Sequence, residues 1–153
     1  MDVSKMQVGD YAGLAAFQFN YGQVGVRVAD DGKKKIYMAK NGGYGGNIVD
    51  SRDTIVQVVD LNGDVVYVKT DFKFNNVDNN FSSSNNIDKV NFYYSLDGNN
   101  WTKIGQEIGM TYDLKMFTGY KFGIYSYPTR NVGGYVDIDS FVYQRTVDWN
   151  KAN

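Results

Sequence analysis

Apolar and polar side chains alternate with a period of two over three stretches in the C-terminal third of the chain. These stretches are Asn91–Gly105, Phe117–Tyr127 and Tyr135–Tyr143. A period of two is typical of β-strands, because successive side chains point to opposite faces of a sheet. The pattern therefore predicts strands in each stretch, the first of them folded back on itself at Asp97-Gly98.

The N-terminal half contains further strands of the same kind. Tyr11–Phe19 is one, and Gln23–Ala29 is another, in which the valines face one side and Arg27 faces the other. Asp30-Asp31-Gly32 is typical of a tight turn. It predicts that Gln23–Ala29 pairs with Lys35–Lys40 as a β-hairpin.

A second hairpin is predicted in the middle of the chain, where Thr54–Leu61 and Asp64–Phe74 flank Asn62-Gly63. Asn-Gly is the strongest two-residue hairpin signal, because a type I′ turn needs positive φ at both positions. Ile104–Met116 is predicted to be a short helix or an irregular crossover. Asn41–Asn47 is glycine-rich, but its spacing does not match a phosphate-binding GxGxxG, so we expect a loop.

These stretches amount to about nine to eleven strands at the spacing of an antiparallel sandwich. No stretch has the periodicity of a long amphipathic helix. At 153 residues the chain has the length of one domain. We therefore predict a single all-β domain over residues 1–153, built as an antiparallel β-sandwich.

The amino-acid composition limits the possible chemistry of the protein more than it limits the possible folds. The chain has no cysteine and no histidine, which excludes thiol nucleophiles, disulfides, Cys/His zinc sites and Ser-His-Asp triads. A bound metal would be a hard cation held by oxygen, such as calcium. The net charge of -1 gives no reason to expect a nucleic-acid or membrane partner. The chain shows no secretory leader and no apolar run near the roughly 20 residues of a spanning helix, and its localisation stays open.

Asp137 and Asp139 form the most obvious pair of carboxylates. On one face of a strand their Cα atoms would lie about 7 Å apart, close enough to flank a glycosidic bond or to share a calcium ion. The stretch resembles the E-I-D-x-x-E strand of laminarinase-type jelly-roll glycosidases, but neither glutamate is present. The third interpretation is structural, with both carboxylates bonded to loop amides or facing solvent. All three interpretations remain open from the sequence.

Aromatic residues form the second candidate site. Tyr125 and Tyr127 share a strand face with Lys121, and Tyr37 and Arg27 lie on neighbouring predicted strands. Sugar rings stack on aromatic side chains through their apolar C–H faces, while polar neighbours satisfy the hydroxyls. Tyrosine on a strand is also a common core or cross-strand packing residue, so aromatic content alone does not establish a sugar site.

Four motifs in order along the chain resemble one family. They are A-G-L-x-x-F-Q (Ala12–Gln18), Y-S-L-D-G-N-N-W-T-K-I-G (Tyr94–Gly105), F-T-G-x-x-F-G-I-Y (Phe117–Tyr125) and V-D-I-D-S-F-V-Y (Val136–Tyr143). The set resembles the C-terminal concanavalin A-like β-sandwich module of family 43 glycoside hydrolases, which are β-xylosidases and α-arabinofuranosidases. The Y-S-x-D-G-x-x-W element alone is common among extracellular β-sandwiches, whereas the ordered set is more specific.

The resemblance implies a non-catalytic accessory domain, because the family's catalytic carboxylates lie on a five-bladed propeller. It implies binding or positioning of xylan or arabinoxylan, with Tyr125, Tyr127, Lys121, Arg27 and Tyr37 as candidate contacts. No catalytic residue is assigned to this chain.

Two other roles remain open. The domain could be purely structural, packing on the propeller while Phe117 lines the active-site pocket; a self-contained hydrolase is a minor alternative. Only Met1–Asp10 precede the A-G-L strand, where the family module usually has several strands. We therefore expect missing N-terminal strands and an open sheet edge that a second copy could pair with.

Overall fold

A computed structural model describes residues 1–18, 20–41, 53–74, 88–110 and 119–145. Every regular element in these ranges is a β-strand, and the strands are arranged in two antiparallel sheets. The predicted all-β antiparallel sandwich is confirmed. Within the described ranges there is no helix long and apolar enough to cross a membrane.

The larger sheet has five strands in the order β4-β3-β2-β1-β9. Each neighbouring pair is antiparallel. Its strands are β1 (Asp10–Phe17), β2 (Tyr21–Val28), β3 (Lys34–Asn41), β4 (Thr54–Asp60) and β9 (Lys121–Pro128). The hairpin between β2 and β3 agrees with the sequence, and Gly32 takes the positive φ of 78° that its turn requires.

The smaller sheet is centred on β6, which pairs with β5 on one side. On its other side β6 pairs with β7 at one end and with β8 at the other. The strands are β5 (Tyr67–Lys73), β6 (Asp88–Ser95), β7 (Thr102–Lys103) and β8 (Ile108–Met110). The hairpin between β6 and β7 confirms the predicted turn at Asp97-Gly98.

The core lies between the two sheets. From the larger sheet, alternate residues of β2 such as Val24 and Val26 point inward and are fully buried. They meet Val90 and Phe92 of β6, together with Ile104. Burying each such side chain stabilises the fold by about 1.5–3 kcal/mol.

The predicted hairpin between Thr54–Leu61 and Asp64–Phe74 is wrong. Its first half, β4, pairs with β3, and its second half, β5, pairs with β6 in the opposite sheet. Leu61 and Val66, on either side of the Asn-Gly turn, are both buried in the core. Because both are buried, the chain crosses from the larger sheet to the smaller one between them. The two strands therefore lie in different sheets and do not pair with each other.

The strand predicted over Tyr135–Tyr143 is also wrong. In this stretch only Asp137 makes a β-bridge, to Asp2, with N–O distances of 2.8 and 3.0 Å. Tyr135, Phe141 and Tyr143 are exposed. The sequence of this stretch alternates as a strand would, but one bridge to the N-terminal segment does not supply the repeated hydrogen bonds that a strand needs.

Other predictions lie partly or wholly outside the described residues. Most of the glycine-rich loop, Gly42–Asn47, is outside them, and so is the end of the predicted crossover beyond Met110. The described start of that crossover contains the short strand β8 and no helix. Among the described strands, β4 and β9 are the edges of the larger sheet. Pairing of such an edge with a second copy stays a prediction.

Gly13 and Gly25 lie side by side on neighbouring strands at the centre of the larger sheet, and we call this pair the glycine row. Tyr125 of β9 lies opposite Gly13, Gly13 lies opposite Gly25, and Gly25 lies opposite Tyr37 of β3. All four point away from the sandwich core, since core residues such as Ala12 and Val24 alternate with them. A Cβ atom on Gly25 would overlap the Ala12 carbonyl oxygen and lie 2.6 Å from the Tyr125 hydroxyl. The glycines therefore provide the space in which the two tyrosines meet.

We predict that Gly25→Ala lowers the free energy of unfolding by about 1–3 kcal/mol, the usual cost of overpacking. Gly123→Ala is the matched control, because it lies on the same face of the same sheet and its added Cβ has no neighbour closer than 4.0 Å. The control should change stability by less than about 0.5 kcal/mol. Urea unfolding of both variants measures the difference, and equal stabilities would contradict the steric role of Gly25.

Candidate functional site

An open groove runs over the outer face of the larger sheet, with a volume of about 740 Å³. Such a volume falls within the range of about 300–1,000 Å³ that ligand sites usually have. The lining is largely aromatic, with polar side chains at Gln23, Asp53 and Thr129. Its aromatic residues are Tyr11, Phe17, Tyr21, Tyr37, Tyr125 and Tyr127.

The rim of the groove is formed by two stacked tyrosines on neighbouring strands. Tyr11 of β1 and Tyr127 of β9 are directly opposite in register. Their ring planes differ by 1°, and their centroids lie 5.2 Å apart. Tyr127 keeps 36% of its surface exposed and Tyr11 is half-buried. Each ring is thus held by the other while part of its surface still faces the groove.

The floor of the groove is formed by the tyrosines that meet over the glycine row. The hydroxyls of Tyr37 and Tyr125 are hydrogen-bonded at 2.7 Å, and Tyr11 packs edge-on against Tyr37 with centroids 5.4 Å apart. Burial raises the pKa of both phenols, that of Tyr37 most strongly. Tyr37 has no exposed surface. It shapes the floor and cannot stack directly on a ligand, which corrects the sequence-based assignment of Tyr37 as a contact.

Asp53 forms a polar cluster at one end of the groove. Its two carboxylate oxygens accept hydrogen bonds of 2.5 Å from the Tyr21 hydroxyl and the Gln23 amide. Burial, followed by the bond to Asp53, raises the pKa of Tyr21 to about 12. No signal in the sequence marks this cluster, because Asp53 precedes β4 and nothing in the sequence pairs it with β2. The alternation of β2 would have placed Tyr21 and Gln23 on the same face as Arg27.

Arg27 lies at the other end of β2, about 13 Å from Gln23 along the strand. Its Nη1 donates a hydrogen bond of 3.3 Å to the Tyr11 hydroxyl. Its Nε is buried and has no hydrogen-bond partner among the described residues. Lys121 lies opposite Phe17 at the far end of β9, exposed to solvent. Of the predicted contacts, Tyr125 and Tyr127 line the groove, and Arg27 lies beside it through its bond to Tyr11. Lys121 shares their sheet face at a distance.

The carboxylates of Asp137 and Asp139 lie outside the groove. Asp137 bonds to Asp2 through its backbone, and both aspartates are exposed. Within the described part of the chain no group of three metal-ligating side chains lies together. The predicted pocket-lining residue Phe117 lies outside the described residues.

The described lining of the groove does not contain the pair of carboxylates that glycoside hydrolysis uses. That reaction uses two carboxylates on either side of the scissile bond. Asp53 is the one acidic residue in the described lining, and both its oxygens already accept hydrogen bonds. The lining combines aromatic surface with amide, hydroxyl and carboxylate groups, a combination suited to noncovalent recognition of polar rings.

The fold defines a β-sandwich domain of the concanavalin A-like class. The model of the family described as the "Beta xylosidase C-terminal Concanavalin A-like domain" matches residues 1–144. The chain belongs to this family, as the resemblance of its motifs predicted.

Three similar proteins support the same assignment. A beta-xylosidase of Formosa agariphila is 25% identical over 142 residues, which are 93% of this chain and 20% of that protein. A solved structure of a bifunctional GH43-CE protein from Bacteroides eggerthii is 44% identical, with a TM-score of 0.71 over 87% of this chain and 15% of that one. An engineered GH43 enzyme with endo-xylanase and exo-arabinofuranosidase activity is 26% identical, with a TM-score of 0.70 over 87% of this chain and 25% of that one.

The chain therefore spans at most a quarter of the length of these relatives. These 153 residues are the C-terminal concanavalin A-like domain of GH43 enzymes and do not contain the catalytic propeller.

We predict that the chain loses stability in alkali because Tyr37 stays protonated in the folded state. Its pKa is raised above the ordinary value of 10.0. Above that pH the unfolded chain releases this proton and the folded chain does not, so the free energy of unfolding falls by about 1.4 kcal/mol per pH unit from this residue. Chemical unfolding of Tyr37→Phe between about pH 9 and pH 11.5 should show a shallower decline than the parent chain. Identical declines would contradict the assignment.

Proposed function

We propose that this chain is an accessory domain of a GH43 enzyme that binds xylan-type polysaccharide in the groove over the larger sheet. The observation that carries the proposal is the stacked pair of Tyr11 and Tyr127, whose partly exposed rings border the groove. Ordered rings lose little conformational entropy when a ligand stacks on them. The pair is therefore already arranged for the apolar face of a sugar.

Polar groups beside the aromatic rim support the same function. Gln23 and Asp53 lie at one end of the groove and Thr129 also lines it. Their amide, carboxylate and hydroxyl groups can donate to or accept from ring hydroxyls. Phe17, which is 49% exposed, adds apolar surface near the Asp53 end. A sugar chain in the groove would therefore have aromatic side chains for the apolar faces of its rings and polar groups for its hydroxyls.

The choice of xylan follows from the relatives. One is named a beta-xylosidase, and another is described as displaying endo-xylanase and exo-arabinofuranosidase activity. A domain attached to such enzymes would bind the same polymer. Binding would keep the catalytic domain close to its substrate, because it raises the effective concentration of the polymer at the active site. Arabinoxylan, the same backbone with arabinose branches, is included in the proposal.

We predict that xylo-oligosaccharides bind saturably and that Tyr127→Ala weakens binding by about three- to tenfold, the loss of one aromatic contact of about 0.5–1.5 kcal/mol. Tyr135→Ala is the matched control, because Tyr135 is an exposed tyrosine that does not line the groove. Isothermal titration calorimetry measures both. Tyr125→Ala is a poorer test, since it also breaks the hydroxyl pair with Tyr37.

Cello-oligosaccharides and arabinan fragments serve as comparison ligands. The absence of binding to every sugar by a folded sample would overturn the binding function. An equal loss in Tyr127→Ala and Tyr135→Ala would show that the sugar binds elsewhere.

A second candidate function is supported by an apolar edge on the opposite face of β9. Phe122 contacts Phe72 of β5 with ring centroids 4.4 Å apart, and it contacts Tyr143 at 5.4 Å. Phe74, Phe122, Ile124 and Tyr143 are nevertheless exposed. Contiguous exposed apolar surface of this kind is typical of an interface. The second proposal is a domain that braces the GH43 catalytic domain through this edge, with Phe117 near its pocket.

We predict that Phe122→Ser weakens association with a separately produced GH43 catalytic part of the Bacteroides eggerthii protein, whose matching segment is 44% identical to this chain. Phe17→Ser is the control, because Phe17 is similarly exposed but lies in the groove. Sedimentation of the mixtures measures association. Equal association of the two variants, or none by the parent chain, would contradict the bracing function.

A further inference from the structure

A second cavity adjoins the groove at the Arg27 end. It has a volume of about 350 Å³ and shares Tyr11 and Thr129 with the groove. Arg27 and the turn residues Asp30 and Asp31 line its other sides. Because the two cavities have common walls, a chain lying in the groove could extend a branch into the smaller one.

Arg27 is the cation in this cavity that lacks a carboxylate partner. Asp30 is paired with Arg130 at 2.7 Å, and Asp31 lies 3.9 Å from Lys33. On the next strand, Lys35 is paired with Asp60. Each neighbouring charge is thus matched by one of opposite sign, whereas no ion pair of Arg27 occurs among the described residues.

The donors of Arg27 are also incompletely used. Arg27 is half-buried and lines the cavity, while its Nε is buried and is not available to a ligand. The bond from Nη1 to the Tyr11 hydroxyl is long, at 3.3 Å, and no hydrogen bond of Nη2 occurs among the described residues. A guanidinium group presents its donors in a planar fork that matches the two oxygens of a carboxylate.

We propose that the Arg27 cavity binds the carboxylate of a uronic-acid branch on the xylan backbone. The inference rests on the proposed function, because the backbone itself would lie in the groove. It assigns the domain a preference for acidic, glucuronic-acid-substituted xylan over the unsubstituted polymer. The aromatic rim holds the backbone, and Arg27 selects the branch.

The test compares three oligosaccharides of equal backbone length by calorimetry: an unsubstituted one, one with an arabinose branch and one with a glucuronic acid branch. We expect the acidic ligand to bind about tenfold more tightly than the other two at low ionic strength, the scale of one charge-assisted contact. Raising the salt from about 0.05 to about 0.5 M should remove most of this preference, because the contact is partly exposed to solvent. The salt series needs no substitution and therefore does not depend on a variant folding.

Arg27→Gln should abolish the preference, so that the acidic ligand binds no more tightly than the other two, because the guanidinium that would select the carboxylate is gone. Lys35→Gln is the matched control: it lies opposite Arg27 in register, changes the net charge by the same amount and removes a cation already paired with Asp60. It should keep the preference. Thermal unfolding of both variants confirms that they are folded.

The outcomes separate the two proposals. Equal affinity for all three ligands would overturn the inference and leave the binding function intact. A preference that survives in Arg27→Gln would also overturn it, placing the acidic branch elsewhere. If no ligand binds to the folded parent chain, the proposed function itself fails, and the inference fails with it.

Discussion

The meeting of two tyrosine hydroxyls over a pair of glycines is the constraint on which the outer face of this domain depends. Any side chain larger than hydrogen at Gly25 would collide with the neighbouring strand and with the Tyr125 hydroxyl. With glycine at this position, the rings of Tyr37 and Tyr125 reach each other across two strands. Their hydroxyl groups then form a hydrogen bond with each other. A buried phenol without a partner would be destabilising, so the two residues require each other.

This arrangement gives the larger sheet packing on both faces. Its inner face covers the sandwich core, and its outer face supports a small aromatic layer, with Tyr37 and Tyr125 beneath and Tyr11 and Tyr127 at the rim. Rings packed this way do not need to be ordered when a ligand arrives, and preorganisation of that kind is a recognised source of affinity. Tyrosine on these strands is therefore a packing residue where it is buried, as at Tyr37, and is available for the proposed sugar contact where it stays exposed, as at Tyr127.

The sequence predicted the faces of the strands better than it predicted their partners. Alternation correctly placed the valines of β2 inward and Arg27 outward, and it placed Tyr125 and Tyr127 on one face of β9. Strand pairing depends on which part of the core the buried residues enter, and a local sequence pattern does not contain that information. Leu61 and Val66 enter the core and carry the chain between sheets, so the Asn-Gly signal did not produce a hairpin.

The site was predictable to a similar extent. Alternation could assign Tyr125 and Tyr127 to the groove and Arg27 to the same sheet face beside it, but Tyr37 could not be recognised as buried without the register that sets it against two glycines. Asp53 and Gln23 are far apart in sequence, and only the pairing of β3 with both β2 and β4 brings them together. Long-range register, more than residue type, determines which side chains form this site.

The two proposed functions use opposite faces of the same strand. Along β9, Tyr125 and Tyr127 point into the groove, while Phe122 and Ile124 point to the apolar edge. Because a strand presents alternate residues to opposite sides, occupation of one face does not block the other. A domain held to its catalytic partner through Phe122 would keep the tyrosine groove open and fixed in orientation. Sugar binding and bracing are thus compatible in one molecule, and bracing would make the position of the bound polymer relative to the catalytic domain more definite.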